Sequence, residues 1–142
     1  EGAGNHVYFS SLAGLGRVDL ATWKVTLIPV PGNNPFVNTL YWDHREQRLL
    51  VGMENYVYSY DPRLHQMRQL LLQPGNVFKS MQKDLHGNLF LGTDAGLLLY
   101  RPQAHQTEFF LHFQGSEKML GNIGTLFLKC FIKFGLISLS IF

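Results

Sequence analysis

The chain has 142 residues, a formal charge of +2 and 46% hydrophobic residues, which is enough apolar matter for one ordinary core. So small a charge, with no basic stripe and no interleaved aromatics, excludes nucleic acid as a partner. Cys130 is the single cysteine; it excludes an internal disulfide and a multi-cysteine metal site but leaves the compartment open, because a periplasmic protein can do without disulfides.

In chain order, His6 to Ser10 alternates into a strand, Gly14-Leu15 opens a second that runs to Val18-Asp19, and Lys24 to Val30 is a third. No strand-like segment precedes Asn5, and Glu1-Gly2-Ala3-Gly4 has neither the basic nor the apolar region of a signal peptide. Residues 1–30 therefore read as the C-terminal part of a repeat unit. The turn cluster Pro31-Gly32-Asn33-Asn34-Pro35 leads into a full unit at 31–72, with strands at Val37 to Trp42, Arg48 to Val51, Tyr56 to Tyr60 and Met67 to Leu71. Asp61-Pro62 ends the third of these, since proline fixes its own φ and removes a ladder donor.

Gln73-Pro74-Gly75-Asn76 opens a second full unit at 73–113, with strands at Val77 to Gln82, Asn88 to Gly92, Gly96 to Tyr100 and Glu108 to Phe113. Here Gly87-Asn88 is a hairpin turn and Thr93-Asp94-Ala95 a polar turn. Residues 114–127 read as a linker, Gln114 to Asn122, and the opening strand of a further unit, Asn122 to Phe127. In the apolar tail 128–142 the pattern stops, and three readings stand. A membrane helix is disfavoured, because the run is shorter than the roughly 20 apolar residues a span needs and holds Lys129 and Lys133. The others are a divergent pair of strands and a truncated or out-of-frame end.

The units repeat at a fixed distance. Gly52, Tyr60, Pro62, His65 and Gln66 each have a counterpart forty positions on, at Gly92, Tyr100, Pro102, His105 and Gln106. A period of roughly 40 to 45 residues with four short strands in each is the arithmetic of a β-propeller blade. The expected fold is all-β: a β-propeller fragment of about three four-stranded antiparallel blades, not closed. Closed propellers use roughly four to eight blades, so an open stack exposes apolar blade faces and is expected to associate with copies of itself or with further blades of a parent chain.

Asn76, Phe78, Met81, Asp84, Gly87, Asn88, Leu89, Gly92, Thr93, Gly96, Leu97, Tyr100 and Pro102 stand in one register. In that register the chain resembles the two-component regulator propeller repeat, over about residues 5–127, most strongly in the third unit. Phe90 departs from the usual Trp and Arg101 from the usual Asp, although Tyr60-Asp61-Pro62 restores that triplet one unit earlier. The resemblance implies the periplasmic sensor region of hybrid two-component systems of the Bacteroidetes type, in which propellers outside the inner membrane report glycan fragments to a cytoplasmic kinase. No kinase parts are present in the sequence. A propeller interaction module unrelated to signalling and a propeller lyase or hydrolase are the alternatives.

No catalytic, metal or cofactor site is expected. Gly87, Gly92 and Gly96 fit turns or close backbone approach, and no helix follows them to make a phosphate cradle. His65 and His105 hold the same turn position one blade apart, and no two histidines have a ligand spacing on one element. Asp43 and Asp84 are repeat equivalents that precede turns and are expected to bond their own turn backbone rather than act as an acid–base pair. Tyr8, Phe90, Tyr100 and Phe109 are expected to pack between blades.

The expected ligand surface follows from connectivity, since loops joining blades and loops between second and third strands emerge on one face. Those loops carry Asn33, Asn34, Glu54, Asn55, Asp94 and Lys118, a polar set suited to a hydroxyl-rich ligand such as an oligosaccharide. Tyr41 and Trp42, adjacent in one strand, face opposite sides; one is expected in the core and the other at the channel or rim, where an aromatic can stack on a sugar ring.

Overall fold

The structure is a computed structural model that describes residues 4–11 and 13–112. Nine strands carry all the regular structure among these residues: β1 His6–Ser11, β2 Gly14–Asp19, β3 Val25–Ile28, β4 Val37–Asp43, β5 Arg48–Asp61, β6 Gln66–Lys83, β7 Leu89–Thr93, β8 Gly96–Arg101 and β9 Gln106–His112. Every pairing is antiparallel; β1-β2-β3 form one sheet, and β4 to β9 run in sequence order through the rest. The linker, the further unit's opening strand and the apolar tail lie outside the described residues.

Two of the strands are longer than the sequence pattern predicts, and both double as parts of two strands. In β5, residues 48–53 pair with β4 and residues 54–61 with β6, with a register shift at Glu54/Tyr56 and Asn55 at φ 65°. The Tyr8 ring lies 6.0 Å from Trp42 and 6.2 Å from Tyr60, and Trp42 is paired with Leu49. Residues 49 and 60 are therefore near neighbours, whereas a straight strand would hold them roughly 36 Å apart. The expected reversal between the second and third strands is present, compressed into Glu54-Asn55. Likewise β6 bends at Pro74-Gly75, where Gly75 has φ 77°; its first part pairs with β5 and its last with β7.

Each set of strands thus stacks face to face on its neighbour. Between the first and second sets lie Leu15, Val37, Leu49, Val51, Met53, Tyr58 and Tyr60, with Tyr8, Ile28, Leu40 and Trp42 against them. Between the second and third lie Leu50, Val57, Leu71, Phe78, Met81, Leu89, Leu91, Leu98 and Tyr100, with Tyr41 and Phe109. The stack is all-β and open, with no helix among the described residues.

The three-residue spacing Val37-Leu40 and Phe78-Met81, odd for a strand, has a cause. A register shift lies between Val37 and Thr39 and again between Phe78 and Ser80. One extra residue reverses the side-chain parity, so both members of each pair reach the same cluster.

Candidate functional site

The strand-linking turns are built by aspartates. Asp19, Asp43 and Asp61 each accept, through Oδ1, the backbone N–H groups two and three residues on. Asp84 accepts from His86 and Asn88 instead. Trp23, Gln47 and His65, four residues after their aspartates, close those turns at φ 57°, 54° and 53°, and His105 does so at 51° without an aspartate. Nothing in the sequence marks this left-handed position, since none of the four is glycine or asparagine.

Asp43 also joins two blades. Lys83 Nζ donates to Asp43 Oδ2 and, at 2.7 Å, to Glu46 Oε1. Burial alone would raise the Asp43 pKa, but the Lys83 hydrogen bond and the two turn N–H donors outweigh it and hold the group below the ordinary aspartate value. Lys83 is raised for the reciprocal reason, burial being outweighed by its two carboxylates. This carboxylate is a structural clasp, occupied on both oxygens.

The loops expected to share one face do meet. Asn34 Nδ2 donates to Glu54 Oε2 at 3.4 Å, the Gly75 N–H donates to Asn55 Oδ1 at 2.7 Å, and the Val77 N–H donates to Asp94 Oδ1 at 2.8 Å. Each bond ties a loop between second and third strands to a loop joining blades, so these side chains hold the face together. Asn33 is exposed beside them, and Lys118 lies outside the described residues. Tyr41 and Trp42 belong elsewhere. They sit toward the opposite end of β4, next to Asp43, each half-buried against a different inter-blade cluster. Neither is a free rim aromatic, because a blade in a stack has an apolar neighbour on both faces. Among the described residues no group of three metal-ligating side chains comes together.

A second concavity was not legible in the sequence. Between the first and second sets a cleft of about 260 Å³ is lined by Arg17, Thr26, Leu27, Ile28, Pro29, Tyr60, His65 and Met67. Burial pushes the Tyr60 hydroxyl up, with the Arg17 charge opposing it. The Tyr8 hydroxyl is raised too, by burial and by Tyr60, again against Arg17. The one sequence signal for this cleft is Arg17 itself, which stands where the later repeats carry Ser59 and Leu99.

No family model matches the chain, and no curated protein does. Solved structures do match it. The extracellular domain of BT4673 from B. thetaiotaomicron, described once as a one-component and once as a hybrid two-component system, superposes with TM-scores of 0.69 and 0.66. Identity is 31% and 29% over 76% and 81% of this chain. Over three quarters of its length the chain is therefore similar to the extracellular domain of a two-component sensor system. The extracellular domain of the hybrid two-component system BT3049 of the same organism has a TM-score of 0.61 at 18% identity over 84% of this chain, and at that distance it speaks for the fold alone. This propeller chain spans only 15 to 16% of the length of the structures it matches.

Proposed function

We propose that the chain is a non-catalytic ligand-sensing or scaffold segment of an extracytoplasmic two-component sensor, and that the signal is a glycan fragment. The likeness at 31% identity to an extracellular sensor-system domain carries this reading. An extracytoplasmic location is supported by the same neighbour, which is an extracellular domain in both of its structures. Two further observations support the non-enzymatic part: the turn aspartates are committed to backbone donors, and the loop-face side chains are hydrogen-bonded to the neighbouring loops.

The division into 1–30, 31–72, 73–113, 114–127 and 128–142 belongs to the same proposal. So does an oligosaccharide partner held on the loop face by Asn33, Asn34, Glu54, Asn55, Asp94 and Lys118. The test is a panel of plant and host oligosaccharides titrated into the full chain, with melting temperature and product formation both followed. A stabilising sugar left chemically intact is the expected result; turnover, or no response to any sugar, would overturn it.

One observation favours a second reading, a protein-interaction module. On the first sheet Tyr8, Leu15, Arg17 and Ile28 face the second set, and alternation turns Val7, Val25 and Leu27 the other way. These are 37%, 57% and 58% exposed, an apolar sheet face suited to a further blade or a second copy of this chain.

A further inference from the structure

The two inter-blade seams are closed differently. At the second seam Tyr100, the aromatic near the end of its strand, donates its hydroxyl to Leu70 O at 3.1 Å. Tyr60 is its repeat equivalent at the first seam. The backbone it would reach by the same logic is Ile28, nine residues after Asp19 as Leu70 is nine after Asp61. Tyr60 instead turns back to its own turn, where its hydroxyl is 3.1 Å from His65 Nδ1. The seam stays open there, and the cleft is the space left.

Into that space the sequence places a cation. Arg17 is half-buried and makes no ion pair among the described residues. Asp61 Oδ1 accepts from the Arg63 and Leu64 N–H groups. Tyr8 Oη is buried beside Arg17 and short of a well-formed hydrogen bond. Even a half-buried cation loses part of its hydration and gains from a counter-charge, and a guanidinium presents a planar fork that matches an oxyanion with two parallel hydrogen bonds. Ile28, Pro29 and Met67 supply apolar walls, and Thr26 and the Tyr60–His65 pair supply polar points. That mixture, a mostly apolar hollow with a few convergent polar groups, is the usual make-up of a small-molecule site. Its volume suits a molecule of about one sugar ring.

We propose that the cleft between the first and second blades binds a small organic oxyanion, with the Arg17 guanidinium as its anchor. The site needs only this chain's own residues and does not depend on the sensor reading.

The test is NMR titration of the full chain with D-glucuronate, D-glucose 6-sulfate and D-glucose at constant ionic strength. The expected result is saturable shifts at Thr26, His65 and Met67 with one or both anions and none with glucose. The carboxylate and sulfate arms tell the two oxyanions apart. Arg17→Gln should weaken the anion at least tenfold, and Arg17→Lys should recover part of the loss. Should Arg17→Gln fail to fold, Tyr8→Phe, which deletes only the hydroxyl, is expected to weaken the anion severalfold. Equal shifts from glucose and glucuronate, shifts confined to the loop face, or undiminished binding in Arg17→Gln would each overturn the proposal. A failed oligosaccharide panel with successful glucuronate binding would sink the loop-face oligosaccharide site and leave this one standing.

Discussion

Lys83→Met tests whether the clasp between the second and third blades stabilises the stack. The Asp43 side chain is 5% exposed and that of Lys83 13%, so removing the lysine strands a buried carboxylate. Breaking one partner of a buried pair costs about 3–5 kcal/mol. Asp43 keeps two turn N–H donors, which places the expected loss near the lower bound, about 3 kcal/mol. By contrast Glu46 is 52% exposed, and Glu46→Gln should cost under about 1 kcal/mol.

Urea denaturation at one fixed protein concentration, read by tryptophan fluorescence, measures both. The pH dependence provides a second readout. The folded Asp43 pKa is depressed, so its contribution is present above the unfolded value of about 3.9 and is lost as pH falls through the folded value. The folded Lys83 pKa is raised, so its contribution is complete below about 10.4 and is lost as pH rises through the folded value. Lys83→Met should therefore lower the plateau between these limits and flatten its acid limb. A loss below about 0.5 kcal/mol with an unchanged acid limb would refute the clasp.

Phe78 is fully buried at the centre of the second seam, and Phe78→Ala should cost about 3–5 kcal/mol in the same denaturation assay. Gly52→Ala would place a Cβ 2.6 Å from Thr39 Cγ2 and 3.2 Å from Phe78 Cβ; about 1–3 kcal/mol is expected from such overpacking, and Thr39→Ser, which deletes that methyl, should recover part of it. In sedimentation velocity the full chain is expected to run larger than a monomer, and Val25→Lys, on the exposed face, should shift it toward the monomer. A sharp wild-type monomer would contradict an apolar face in search of a cover.

Much of the architecture was legible because a propeller blade is a local object. Its strands pair with their sequence neighbours, so Gly96-Leu97 after a polar turn, Asp61-Pro62 at a strand end and the forty-residue echo of Tyr60 in Tyr100 each marked a nearby structural event. The loop face was legible for the same reason, since connectivity alone puts Glu54 beside Asn34 and Asp94 beside Val77. The reversal between Val51 and Tyr56 was legible too, but its compression into Glu54-Asn55 was not: the left-handed Asn55 that makes it is visible only in the backbone.

What the sequence by itself determined, then, is the repeat, its strand order and the turn chemistry, because those depend on contacts within a few residues. What only the tertiary structure decided is how one blade meets the next. Whether Tyr60 clasps Ile28 or its own His65, whether Lys83 finds Asp43 forty residues away, and whether Tyr41 and Trp42 are rim or filling all depend on the distance and tilt between two sheets. No single strand encodes that geometry. It is set by the summed packing of both apolar faces, and the cleft at Arg17 exists because at one seam that packing falls short of closure.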